Sequence, residues 1–224
     1  MTSAKQYDLA IIGSGPGGYV AGLYASRRKL KVCVIEKDLV GGTCLNRGCI
    51  PTKSLLSSAS MVSAIKDPSS RGFIVDSCKI DFGGMASRKD EVVARLRTGI
   101  ETLFKAGKID LIRGRARLSG PNTVDVEGAG PVTAAHVIIA SGSAVTDLPG
   151  IKLDEKNILS SAGILNIKEL PGSIVIIGGG KIALRSIDES SSTTIRIHIT
   201  NSGATTLYST LYVRISTLFT GSSR

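Results

Sequence analysis

Residues 7–36 read YDLAIIGSGPGGYVAGLYASRRKLKVCVIE, and the fold class is decided within them. Leu9, Ala10, Ile11 and Ile12 make an unbroken apolar run that stops at Gly13, the pattern of a strand buried on both faces. The spacing predicts a helix over 19–28 and a second buried strand over 32–35, closed by Glu36, so the opening is a βαβ unit. Gly13, Gly15 and Gly18 then stand as G-x-G-x-x-G between strand and helix, with Glu36 following 18 residues after the last glycine. Each position has a physical reason. Gly13 permits the tight turn, Gly15 lets backbone approach a pyrophosphate, and Gly18 lets the helix pack close to the strand. The helix N-terminus offers N–H groups and positive dipole to phosphate, and Glu36 is placed to accept from ribose hydroxyls. The reading is a dinucleotide site that does not by itself distinguish FAD from NAD.

Outward from this unit, Pro51 stands at a first helical position, followed by Leu55, Leu56, Ala59, Val62 and Ile65. Asp90 to Ala106 carries Val92, Val93, Leu96, Ile100, Leu103 and Phe104 at helical spacing, with Gly107 placed as the cap. Between Ile109 and Ala134 short apolar segments alternate with Gly- and Pro-containing turns, which predicts a small antiparallel meander, and Val137 to Ala140 reads as a further buried strand. Ile174 to Ile177 followed by Gly178-Gly179-Gly180 resembles the first strand and turn of a second dinucleotide fold. From Ser186 onward 17 of the 39 residues are Ser or Thr and no period is sustained. The organisation expected is therefore α/β: a Rossmann-like domain with a parallel sheet and a small antiparallel β-meander over 1–149, the incomplete start of a second dinucleotide-binding fold over 150–185, and a disordered tail over 186–224.

Composition excludes more than it selects. The net charge of +10 invites a nucleic-acid reading, but the 28 basic residues are dispersed and lack interleaved aromatics, so no nucleic-acid partner is expected. The densest cluster, Arg27-Arg28-Lys29, falls where cations favour the negative end of the first helix. No apolar run is long enough to span a bilayer, the first strand starts at Tyr7 with no room for a targeting peptide, and the expected location is the cytoplasm.

Four cysteines are present; Cys33 and Cys78 stand alone, while Cys44 and Cys49 lie five positions apart in Gly41-Gly42-Thr43-Cys44-Leu45-Asn46-Arg47-Gly48-Cys49-Ile50-Pro51-Thr52-Lys53. Such a pair at a helix start can close a small disulfide loop, and the helix dipole favours a thiolate at Cys49. The other readings are buried structural thiols or half a zinc site, and no second cysteine pair or histidine cluster completes the latter. Redox use is the favoured reading, and no metal is expected.

At this thirteen-residue segment the sequence resembles the pyridine nucleotide-disulfide oxidoreductases, and within them the dihydrolipoamide dehydrogenase branch, over about Tyr7 to Ala183. Glutathione and mercuric reductases share the dithiol and remain alternatives, as does a flavin-binding fragment without catalysis. The resemblance implies FAD as cofactor and NAD as acceptor, with Cys49 facing the flavin and Cys44 exchanging with dihydrolipoamide. It implies Lys53 beside the flavin, Gly114, in an expected strand from Leu111 to Leu118, at the adenine side, and Ala140-Ser141-Gly142 in place of an Ala-Thr-Gly contact. Gly178 and Gly180, with Ala183, begin the NAD motif as G-x-G-x-x-A. The implied partner is the lipoyl domain of a 2-oxoacid dehydrogenase complex. The family's homodimer is built by a C-terminal interface domain that also supplies a His-Glu acid–base pair, and nothing in this sequence matches it. Neither His136 nor His198 is expected to replace that pair. The pattern departs at Lys181, where the family has tyrosine, and at Arg185, where it has an acid that pairs with the lysine matched by Lys53. After Arg185 the resemblance stops, and an out-of-frame or misassembled continuation from about Lys181 is the expectation.

Overall fold

The computed structural model describes residues 5–147, 150–177, 196–198 and 212–215. By packing, the chain divides into two units, Met1–Pro51 with Glu91–Ser143, and Thr52–Asp90 with Ala144–Arg224.

The first unit opens with β1 (Lys5–Ile12), α1 (Pro16–Arg27) and β2 (Val32–Glu36), the βαβ unit read from the apolar runs. All of β2 is buried because both faces of the sheet are covered. Val32 and Val34 join one core with Leu9, Ile11, Val93, Ile100 and Phe104. Cys33 and Ile35 join a second with Tyr7, Ala10, Val124 and Val132. Helix α1 turns Gly18, Gly22 and Ala25 inward. Those small residues let it lie close on the strands: a methyl on Gly22 would already meet Val34 Cγ2 at 3.2 Å.

After α2 (Gly42–Arg47) and the start of α3 (Cys49–Lys66), the chain returns to this unit along α4 (Phe82–Ala106) and then forms β3 (Asp110–Arg113), β4 (Ala116–Leu118), β5 (Thr123–Val126) and β6 (Gly130–Ile139). The six strands are ordered β3-β2-β1-β6-β5-β4. Strands β3, β2, β1 and β6 run parallel to their neighbours, and β6, β5 and β4 form the antiparallel meander. This is the Rossmann-like sheet expected, with four differences of detail. Helix α3 begins at Cys49 rather than Pro51. Helix α4 begins at Phe82, eight residues before the apolar period, because the Asp81 carboxylate accepts the Gly84 N–H at 3.0 Å as an N-cap. The strand expected through Gly114 is split there into β3 and β4. The carboxyl end of β6 is not buried: Ile138 is 38% and Ile139 63% exposed. The meander accounts for the last difference, since β5 pairs with β6 only as far as Thr133 and leaves the rest of it beside β1 among the described residues.

Tyr7 fastens β1 to β3 across the strand between them, its hydroxyl donating to Asp110 Oδ2 at 2.6 Å. Burial, and then the facing Asp110 carboxylate, push the phenol pKa well above the usual tyrosine value. The neutral phenol is thus favoured by folding, a contribution fully present below about pH 10 and lost as pH rises beyond it. Tyr7→Phe is expected to cost about 1 kcal/mol at pH 7. It should also remove part of the fall in stability above pH 10, so that urea-denaturation curves of the two proteins converge with rising pH. A constant offset between pH 8 and 11 would contradict this.

The second unit contains α3 from Thr52, the early part of α4, and a sheet ordered β7-β10-β8-β9. Its strands are β7 (Ile158–Leu159), β8 (Ile174–Ile177), β9 (Arg196–His198) and β10 (Tyr212–Ile215). β8 is parallel to β9 and antiparallel to β10. Strands β9 and β10 fall within the Ser/Thr-rich stretch, most of which lies outside the described residues. Leu159 and Ile176 form a small core with Ile164, Ile167 and Ile174. Lys89, 2% exposed, donates to the Leu165 carbonyl at 2.7 Å and pairs with Asp90. Burial works against a charged Asp90, but Lys89 and Lys168 outweigh it and hold the carboxyl below its usual range.

Candidate functional site

Four parallel strands end at one edge of the first sheet, and backbone hydrogen bonds carry the alignment past their ends. Gly13 N–H donates to the Ile35 carbonyl at 2.8 Å, Ala140 N–H to Ile12 at 2.8 Å, and Gly114 N–H to Glu36 at 3.0 Å. Gly13, Glu36, Gly114, Ser141 and Gly142 are therefore brought together at the carboxyl edge, where α/β sheets bind ligands.

The glycine turn is fixed by contact distances. Gly13 has φ +102°, and a Cβ there would fall 2.2 Å from the Ala140 carbonyl oxygen. A Cβ on Gly18 would fall 1.8 Å from the Gly13 oxygen, so the first turn of α1 lies directly on the loop. Gly15 is the N-cap of α1, no side chain caps this terminus, and no acidic residue occupies its first turn. Such a terminus presents N–H groups and positive dipole outward, which fits a pyrophosphate. Glu36 is only 8% exposed, and its Oε2 accepts from Ser14 N–H at 2.9 Å and from the Ser14 hydroxyl at 2.6 Å. Oε1 takes the Asp38 N–H at 2.9 Å. The acid thus holds the glycine turn in shape, with lone pairs on Oε1 left for a further donor. Ser14 was not singled out by sequence reasoning; a hydroxyl between the first two glycines is the signal that could have found it.

The cysteine segment is built onto the same turn. Gly41 N–H donates to the Ser14 carbonyl at 3.0 Å. Gly42 has φ +60°, and a Cβ there would come within 2.7 Å of Gly15 Cα. Gly41-Gly42 is therefore a backbone-on-backbone seat from which α2 leaves with Cys44. Gly48 then closes the loop back: a Cβ on it would lie 3.0 Å from the Thr43 oxygen and 3.3 Å from Cys44 Cα. The chain passes Cys44 again as it enters α3, which starts at Cys49. Cys44 is half-buried and Cys49 exposed, whereas Cys33 is buried in β2 and Cys78 is exposed elsewhere. Thiol–disulfide exchange needs an accessible thiol with a second close in the chain, and this loop meets both conditions.

Charged residues brace the outside of the segment. Arg47 pairs with Asp38 and holds its carboxyl below the usual range. Arg113 donates to the Asp38 carbonyl at 2.7 Å and pairs with Glu101 at 2.8 Å. Lys53 is exposed on α3 within the second unit. Gly178 and Gly180 lie outside the described residues. His136 is exposed in β6. A cleft of about 510 Å³ opens at the opposite, amino-terminal edge of the sheet, lined by Tyr7, Lys31, Asn122 and Thr133 among others, and holds none of the expected site residues. No described helix is long and apolar enough to cross a membrane.

Comparison with known proteins bears on the whole arrangement. The family model for pyridine nucleotide-disulphide oxidoreductases matches residues 7–208. The chain is similar to mitochondrial dihydrolipoyl dehydrogenase of Dictyostelium discoideum, with 42% identity over 81% of this chain and 38% of the relative. It is similar also to mitochondrial dihydrolipoyl dehydrogenase 1 of Arabidopsis thaliana, 44% identical over 82% of this chain and 37% of that protein. The chain therefore spans less than two-fifths of the length of these relatives. Among solved structures it resembles the HOCl-induced flavoprotein disulfide reductase RclA of Escherichia coli, in its Cu(II) complex, with a TM-score of 0.69 and 27% identity over 86% of this chain and 42% of that one.

Proposed function

Because the chain belongs to the pyridine nucleotide-disulphide oxidoreductases, we propose that it is the flavin-binding, dithiol-bearing part of a dihydrolipoyl dehydrogenase. The observation that carries this reading is the seat of Gly41-Gly42 on the Gly13–Gly15 turn. It makes the thiol loop and the phosphate platform one piece of backbone, so the residues that would hold a dinucleotide's pyrophosphate adjoin the segment that bears Cys44.

The residues that would hold FAD are those of the carboxyl edge. Gly13, Gly15 and Gly18 offer the α1 terminus to its pyrophosphate, and Glu36 accepts from its ribose. Gly114, Ser141 and Gly142 border the same edge, and Lys53 is the lysine that the family resemblance assigns to the flavin. The Gly114 N–H is already given to Glu36, so an adenine contact from this residue uses its carbonyl. When bound, FAD would supply an acceptor for the electron pair released as the two thiols join, and NAD the final acceptor, through Gly178 and Gly180. The work of Cys44 and Cys49 is exchange: their disulfide is opened by a substrate dithiol, which leaves as its own disulfide while both protein sulfurs become thiols. The partner implied is a lipoyl domain of a 2-oxoacid dehydrogenase complex, in the reducing cytoplasm, where such a pair can cycle. These residues supply binding and exchange.

A visible absorption spectrum of the protein reconstituted with FAD, before and after one equivalent of dithionite, tests the reading. A retained flavin that develops a long-wavelength charge-transfer band on reduction is expected. A protein that does not retain flavin, or retains it without that band, would overturn it. A second reading, reduction of another small disulfide, is favoured by the likeness to a flavoprotein disulfide reductase. Which disulfide reoxidises the reduced dithiol distinguishes the two.

A further inference from the structure

We propose that Arg97 is a positioning residue for the Cys44–Cys49 couple, an inference that rests on the redox reading of that pair. Helix α2 has six residues, far too few to be stable alone, so its placement depends on what holds it. Buried Leu45 anchors one side. The other is held by Asn46, whose Nδ2 donates to the Gly42 carbonyl at 2.9 Å and the Val40 carbonyl at 3.0 Å. An amide can face those carbonyls in only one of its two orientations, since the reverse would set oxygen against oxygen. Arg97, reaching over from α4, selects that orientation: its Nε donates to Asn46 Oδ1 at 3.0 Å, and a guanidinium has only donors to offer. The amide thus relays the position of α4 to the helix that carries Cys44 two residues earlier. Because a disulfide tolerates only a narrow range of Cα separations, the placement of α2 sets how readily Cys44 closes onto Cys49.

The consequence is read as a thiol–disulfide equilibrium. In a buffer of oxidised and reduced glutathione, one glutathione disulfide becomes two glutathiones while the two protein thiols lose two hydrogens and form one S–S bond. The Cys44–Cys49 fraction is measured by mass spectrometry on the full chain. Arg97→Met, which cannot donate, is expected to lower the equilibrium constant about tenfold, the scale of one lost charge-assisted hydrogen bond. Arg97→Gln, which retains a donor, is expected to recover most of it. Should Arg97→Met fail to fold, Asn46→Asp reports instead: it keeps the acceptor for Arg97, removes the donor to the carbonyls, and is expected to fall by a similar factor. An equilibrium constant in Arg97→Met, or failing that in Asn46→Asp, equal to that of the unaltered protein overturns the role of Arg97. Failure of the unaltered protein to form the Cys44–Cys49 disulfide at all would overturn the redox reading beneath it.

Discussion

Gly18→Ala is expected to unfold the protein or leave it without flavin, while Gly17→Ala, one residue away, is tolerated. The added methyl of Gly18→Ala would sit 1.8 Å from the Gly13 carbonyl oxygen. The oxygen belongs to the main chain and the methyl is fixed rigidly to Cα, so neither can turn aside; α1 must lift from β1 or the glycine turn must open. Overpacking of this kind costs about 3 kcal/mol or more where the neighbours cannot relax. That is a large part of the stability of an ordinary domain. Even a molecule that survives would have moved the terminus that receives the pyrophosphate. At Gly17 the methyl would meet only Ala140 Cβ, at 3.9 Å, an ordinary contact. Urea unfolding followed by circular dichroism, with flavin retention on gel filtration, compares the two. Equal midpoints and equal retention would show that the close approach of α1 to the glycine turn is not what holds the site.

Cys49→Ser is expected to abolish closure of the dithiol completely and to stop exchange at its first stage. In the unaltered protein, attack on glutathione disulfide leaves a mixed disulfide that the second thiol resolves, releasing glutathione. With serine at 49 nothing resolves it, and Cys44 should accumulate one bound glutathione. In a Cys78→Ser background, which removes the other exposed thiol, mass spectrometry should find that adduct in the variant and an internal disulfide in the parent. Cys33→Ser should leave the exchange as it was, because Cys33 is buried within β2. An internal disulfide still formed in Cys49→Ser, through any other pair, would sink the assignment.

The two features behind these expectations differ in how plainly the residue order declares them. The βαβ unit is legible because its signals are local: an apolar run, glycines at fixed offsets, and an acid at the next strand end. The Gly41-Gly42 seat is not, since it consists of two left-handed glycines lying against backbone 27 residues earlier. Two adjacent glycines announce only a turn. Asn46 and Arg97 are 51 residues apart, and neither residue type marks the other. The start of α4 was hidden by Gly83 and Gly84, poor helix formers whose effect is offset by the Asp81 cap. The exposed end of β6 defeated a rule that works for β2, because apolar residues record a strand's preference and not how far its neighbour extends. Lys89 is the converse case: a cation in a stretch of charged residues reads as solvated, yet a carbonyl 76 residues away gives it a buried partner.

That same end of β6 has a bearing on handling. Past Ala135, where Asn122 makes its last bond to it, its outer hydrogen-bonding rim has no strand beside it among the described residues and lies next to two bared isoleucines, and a rim of that kind is a template on which another polypeptide can lay itself. What keeps molecules apart is the surplus of ten positive charges, a long-range repulsion that dissolved electrolyte erodes. Preparations should therefore stay monodisperse in dilute buffer and cloud as ionic strength climbs.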